Sequence, residues 1–234
     1  MTSSSDQPRQ NTTFSSGGRT AHGYLALPSG GTGPGLIVIQ EWWGLDDSLA
    51  AIVDRFAAEG FVALAPDLYG GKVSHEASTA GELMNQLPVE QAAKDLAGAV
   101  DFLLGHDAVT SEKIGAVGFC MGGGFVLMLA AQEGDRIGAA VPFYGVGPGV
   151  PDSYRTLTAP VQGHYGQTDQ MYPLEDAMKL DEQLQRESGV ETDIHYYPAG
   201  HAFMNPDNHM GTYDPELAAV ARQRTGEVLH AKLG

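Results

Sequence analysis

The sequence predicts an α/β protein: one domain with a mostly parallel central sheet and helices on both of its faces. Three observations carry that expectation. The chain has 234 residues, a length that one domain can fill with a single core. From about His22 onward, short β-branched or apolar runs alternate with helix-length segments, which is the order of βαβ units. The run Leu36-Ile37-Val38-Ile39 shows no polar alternation, as a strand covered on both faces requires.

The elements follow in order. Residues 1–16 are rich in Ser, Thr, Gln and Asn, and Gly17-Gly18 closes them off. Residues 1–18 are therefore expected to be a mobile polar segment ahead of a single domain over 19–234. Strands are expected at 22–27, 35–40, 61–65, 114–118, 139–143, 161–165 and 192–197, and helices at 48–59, 89–104, 121–132, 174–187 and 215–232. In 89–104, Ala92, Ala93, Leu96, Ala99, Val100, Leu103 and Leu104 recur at three and four residues, so one apolar stripe faces the sheet. In an open α/β sheet ligands bind beyond the carboxyl ends of the strands. Those positions hold Glu41-Trp42, Asp67, Cys120, Tyr144, Asp169 and, one loop later, His201.

Composition narrows the function. The 13 basic and 29 acidic residues give a net charge of −16, a surface that repels phosphate backbones and anionic lipid. Small molecules are the expected partners, with no nucleic acid and no membrane. No apolar stretch approaches the roughly 18 residues of a membrane span, and residues 1–16 contain no apolar core of a signal peptide. Cys120 is the only cysteine, which excludes an intrachain disulfide and suits a reducing cytoplasm. His201, Asp207 and His209 lack the helical His-x-x-x-His spacing of a metal site, and the glycine runs match neither a dinucleotide fingerprint nor a P-loop. Neither metal nor cofactor is expected, and the protein is expected to be a monomer or weak homo-oligomer.

The chemistry concentrates at Gly118-Phe119-Cys120-Met121-Gly122, a G-x-C-x-G between an expected strand and an expected helix. This is the pattern of a nucleophile elbow with cysteine in place of serine. The small residues let the turn tighten, and the Met121 amide sits at a helix N-terminus, where it favours thiolate and an oxyanion. A thiol needs a base, and the base an orienting carboxylate. Asp169 in Gly166-Gln167-Thr168-Asp169 and His201 in Gly200-His201-Ala202-Phe203 supply them from the next strand-end loops. Singly, Asp169 reads equally well as a helix cap and His201 as a turn residue. Together the order Cys120, Asp169, His201 is that of α/β-hydrolases. Glu41 comes to the same sheet edge as either a functional or a merely solvated carboxylate. The Trp42 amide is the second oxyanion donor expected there, and Trp43, Tyr144, Phe203 and Asn205 are candidate substrate contacts.

Gln40-Glu41, Ala65-Pro66-Asp67-Leu68-Tyr69, Gly118-Phe119-Cys120-Met121-Gly122-Gly123, Phe143-Tyr144-Gly145-Val146-Gly147, Gly166-Gln167-Thr168-Asp169 and Gly200-His201-Ala202-Phe203 together resemble the dienelactone hydrolase family. The resemblance implies an α/β-hydrolase fold and a Cys120-His201-Asp169 triad. It also implies that Glu41 is hydrogen-bonded to the resting thiol and takes its proton when substrate binds. The family's carboxylate-gripping arginines are missing, since Met204-Asn205 follows Phe203 and residues 73–88 contain no arginine. The expected activity is hydrolysis of an ester or lactone through a thioester on Cys120. The alternative is a non-catalytic or redox-responsive protein of the same fold with Cys120 as a sensor thiol.

Overall fold

The computed structural model describes residues 7–145 and 149–234. Residues 1–6 and the Val146-Gly147 part of one motif lie outside the described residues. Among the described residues eight strands form one sheet: β1 (Thr12–Ser16), β2 (Arg19–Ala26), β3 (Gly35–Ile39), β4 (Val62–Pro66), β5 (Ile114–Phe119), β6 (Ile137–Phe143), β7 (Val161–Gly166) and β8 (Thr192–Tyr197). Their order is β1-β2-β4-β3-β5-β6-β7-β8. The two pairings that involve β2 are antiparallel, and every later pair is parallel. Among the described residues six α-helices accompany the sheet: α1 (Asp47–Ala58), α2 (Ala77–Gln86), α3 (Val89–Leu104), α4 (Met121–Glu133), α5 (Leu174–Glu187) and α6 (Pro215–Leu233).

Alternation along each buried strand divides the core in two. Leu36, Val38, Val117, Phe119 and Phe143 face α1 and α6 through Leu49, Val53, Phe56, Ala218 and Leu229. Ile37, Ile39, Ala116 and Ala140 face α3, α4 and α5 through Leu96, Leu103, Phe125, Val126 and Leu180. Every residue of β3 is buried, as its unbroken apolar run anticipates. Each expected strand and helix is present, with bounds shifted by at most three residues. No helix among the described residues is long and apolar enough to cross a membrane.

Two features depart from the sequence expectation. The segment expected to be mobile contains β1, which pairs with β2 from Thr12 opposite Gly23 to Ser16 opposite Arg19. Gly17 and Gly18, both at positive φ (52° and 86°), form its hairpin turn, as such turns require. Phe14 is buried against Phe102 of α3, and buried Asp95 of α3 accepts from Ser16 Oγ at 2.5 Å and Arg19 Nη2 at 2.5 Å. A single inward aromatic and a buried carboxylate thus anchor a stretch whose composition reads as loop. The second departure is α2, unforeseen because Ala80 is its only buried residue, leaving almost no apolar stripe to read.

Candidate active site

The carboxyl ends of β3, β5, β6, β7 and β8 bring the strand-end residues to one edge. Cys120 links β5 to α4 at φ 54°, ψ −120°, a left-handed conformation that a non-glycine residue adopts at a cost of order 1–3 kcal/mol. The two flanking glycines are steric necessities. A Cβ on Gly118 would lie 2.2 Å from Gly122 O, and one on Gly122 would lie 2.5 Å from Ile39 O and 2.6 Å from Gln40 O. The turn is therefore clamped against the end of β3. The Met121 amide opens α4 directly after this turn.

His201 Nδ1 donates to Asp169 Oδ2 at 2.7 Å. The other oxygen, Oδ1, accepts from Met171 N at 2.7 Å and Tyr172 N at 2.8 Å, so the carboxylate is locked in orientation. Nε2 of His201 is buried and has no hydrogen-bond partner among the described residues. Burial on its own lowers the imidazole pKa. The Asp169 hydrogen bond and the Cys120 sulfur outweigh it and bring the pKa up to about 10. The Cys120 side chain is thus close enough to act on the imidazole, and Cys120 is only 2% exposed. Thr212 Oγ1 donates to the His201 carbonyl, and Ala202 turns the chain at φ 59°.

Glu41 is buried too. Its Oε1 accepts from Tyr144 Oη at 3.1 Å and its Oε2 from Asn205 Nδ2 at 2.7 Å. Burial raises its pKa, against the opposing pull of Asn205, the His201 charge and Tyr144. Burial, reinforced by the Glu41, Cys120 and Asp169 charges, pushes the Tyr144 phenol well up, so it remains a donor.

Residues 21–233 match the dienelactone hydrolase family model. The chain belongs to the dienelactone hydrolase family. The carboxylic ester or lactone hydrolase expected from the sequence is the activity that this membership supports. Protein usf of Aquifex pyrophilus is 34% identical over 209 residues, covering 86% of this chain and 89% of that protein. Carboxymethylenebutenolidase 1 of Cupriavidus pinatubonensis is 27% identical over 227 residues, covering 93% and 94%. Among solved structures, the dienelactone hydrolase-like promiscuous phosphotriesterase P91 from metagenomic libraries superposes with a TM-score of 0.83 at 25% identity, covering 97% of this chain and 98% of that one.

Against the family expectation, the Glu41 partners among the described residues are Tyr144 and Asn205, where the sequence led us to expect the thiol. Two of the four candidate substrate contacts, Tyr144 and Phe203, have no exposed surface. Tyr144 is fully buried with its hydroxyl spent on Glu41, and Phe203 is fully buried between the rings of Tyr144 and Tyr197. Tyr144 sits in a left-handed turn (φ 35°), with its ring centroid 5.0 Å from that of His201. Trp43 and Asn205 do line a small cleft beside Glu41, together with Asp46, Ser48, Ile52 and Phe119. Asp67 orders a loop, accepting from Tyr69 N at 2.9 Å and Gly71 N at 2.7 Å. That loop presents Tyr69, whose hydroxyl donates to Met121 Sδ at 3.5 Å. Burial and the nearby Cys120 sulfur push its phenol pKa up. Sequence reasoning assigned Tyr69 and Thr212 no role. Spacing carries no signal for either, because each acts through a loop contact.

Proposed function

We propose that this chain hydrolyses small neutral carboxylic esters or lactones through a thioester on Cys120. The observation that carries the reading is His201, fixed on Asp169 at Nδ1 while its unpartnered Nε2 lies beside the only thiol of the chain. With the imidazole pKa drawn up to about 10, Nε2 is the base that takes the thiol proton for the attack. The sulfur attacks the acyl carbon, and the Met121 and Trp42 amides hold the oxyanion. Collapse expels the alkoxide, which takes the Nε2 proton. Water then gives a proton to Nε2 and adds to the thioester, and the sulfur leaves with its electron pair. Glu41 acts through charge: the His201 charge favours its ionised form, so ionised Glu41 in turn favours imidazolium.

Substrate neutrality follows from the polar groups available. A buried substrate carboxylate needs a cationic partner, and the place of the family arginine holds Asn205, spent on Glu41. Lys72 is exposed, with its carbonyl within 2.6 Å of where a Cβ on Gly44 would stand, and is the nearby cation to test. The reading is of a cytosolic, monomeric or weakly associating enzyme with no cofactor.

Iodoacetamide labels one site, and activity on p-nitrophenyl acetate falls in step with labelling; Cys120→Ala reduces turnover to near background. Activity that survives full alkylation, or a folded wild type with no esterase activity and a readily oxidised thiol, favours the sensor alternative instead. In competition, the neutral ester exceeds its carboxylated analogue in kcat/KM in both wild type and Lys72→Ala.

A further inference from the structure

Ahead of β1, residues 9–11 bridge two loops that reach the site from neighbouring strands. Asn11 anchors this segment on β2. Its N–H donates to the Gly23 carbonyl at 3.0 Å, and its side chain donates to the Leu25 carbonyl at 2.9 Å and accepts from the Leu25 N–H at 2.7 Å. The Arg9 N–H donates at 2.9 Å to the carbonyl of Leu45, in the loop between β3 and α1. Gln10 Nε2 donates at 2.5 Å to Asp67 Oδ2, in the loop between β4 and α2. The Arg9 guanidinium also pairs with Asp47 at 3.4 Å, but both side chains are more than a third exposed, so that pair contributes little.

Both loops carry parts of the site. The β3–α1 loop holds Glu41, Trp42 and Trp43. Its own turn bond, from the Gly44 N–H to the Glu41 carbonyl, is long at 3.4 Å, so the loop is held chiefly by donors from outside it. Those are the Ser74 N–H on the Trp43 carbonyl and the Arg9 N–H on the Leu45 carbonyl, both at 2.9 Å. Ser74 comes from the β4–α2 loop, whose start is ordered by buried Asp67 through Tyr69 N, Gly71 N and Gln10. The Leu68 N–H reaches back to Gln40 Oε1 at 3.2 Å. The Trp42 ring stands against α2, with Cζ3 3.9 Å from where a Cβ on Gly81 would lie.

Taking the thioester reading as its basis, we infer that Arg9 and Gln10 form a positioning strap that fixes these two loops to each other and so holds the Trp42 amide at the oxyanion. Neither residue touches substrate. One acts through the Leu45 carbonyl and the other through the Asp67 carboxylate. An oxyanion donor works only when it is held in place before the charge develops, and a loop with a weak turn bond of its own needs such outside support. Asp67, a strand-end residue with no part in the acyl-transfer steps, gains a role as the strap's inner anchor.

The only two tryptophans of the chain, Trp42 and Trp43, both lie in the strapped loop, so their fluorescence reports on it whether or not an ester turns over. Gln10→Ala removes the donor to Asp67, Gln10→Glu sets a second carboxylate against it, and Arg9→Pro removes the N–H on Leu45. Arg9 and Gln10 are exposed, so the variants are expected to fold, which urea titration checks. Acrylamide quenching rises about twofold in each variant as the loop loosens. Turnover of p-nitrophenyl acetate falls about tenfold in kcat with KM little changed, most in Gln10→Glu, against about 10²–10³ for a donor lost outright. Alkylation of Cys120 by iodoacetamide forms no oxyanion, so its rate stays within about twofold of wild type, which a general loosening of the site would not allow. Unchanged quenching, unchanged kcat, or alkylation slowed in step with kcat overturns the strap. A wild type that turns over no ester refutes the thioester reading instead, and quenching alone then decides the strap.

Discussion

Asp169→Asn is the sharpest perturbation that the site offers, because the surroundings dictate how the new amide must sit. Oδ1 of Asp169 accepts from the Met171 and Tyr172 amides at 2.7 and 2.8 Å. An asparagine that turned its NH2 toward them would set donor against donor at two part-buried amides, at about 1–3 kcal/mol each. The flipped orientation is thus disfavoured by about 2–6 kcal/mol, or roughly 30-fold to more than 10⁴-fold. The asparagine oxygen keeps both amides, and its NH2 faces His201 Nδ1. That nitrogen must then accept, so the ring proton moves to Nε2 and the nitrogen beside Cys120 can no longer take a proton. The wrong tautomer costs a serine triad about 10⁴ in kcat, and a fall of about 10³–10⁴ is expected here with KM little changed. The Asp169 hydrogen bond that helps hold the His201 pKa at about 10 is lost as well. Alkylation of Cys120 by iodoacetamide at pH 7 therefore slows in parallel. Steady-state hydrolysis of p-nitrophenyl acetate and the alkylation rate from pH 6 to 10 measure both effects, with circular dichroism confirming the fold. A folded variant whose kcat stays within tenfold of wild type refutes the argument.

Three further outcomes follow from the same geometry. The folded His201 pKa, about 10, lies above its ordinary value of 6.5, so its stabilisation is complete below about pH 6.5 and is lost as pH rises through about 10; in urea titrations at pH 7 and pH 10.5, Cys120→Ala, which lacks the sulfur's share, loses less stability than wild type. Burial raises the Glu41 pKa, so wild type loses stability as pH rises through that folded value. Glu41→Gln cannot ionise, so it gains stability relative to wild type as pH rises above 4.5 while kcat falls at least tenfold; parallel stability curves with unchanged kcat would return Glu41 to a structural role. Gly122→Ala places a Cβ 2.5 and 2.6 Å from two backbone oxygens at the end of β3, and about 2–3 kcal/mol of lost stability by urea midpoint, with loss of esterase activity, is expected.

The sequence by itself determined the parallel sheet, the glycine-flanked turn at Cys120 and the strand-end positions of Asp169 and His201. Each of these rests on a local pattern: an unbroken apolar run for β3, two glycines flanking Cys120, and strand-end positions for Asp169 and His201. Such patterns survive in one dimension because backbone geometry repeats over a few residues. Tertiary structure decided what those residues touch. Thr12–Ser16 is held as a strand by α3, which buries Phe14 against Phe102 and presents buried Asp95 to Ser16 and Arg19. Tyr144 and Asn205 became the donors to Glu41 across 103 and 164 residues of chain, with Tyr144 in a left-handed turn that its own residue type does not announce. Contacts at that separation depend on how whole strands and loops are brought together, and a buried carboxylate takes whichever donors that packing delivers, since leaving it unpaired costs more than any local preference.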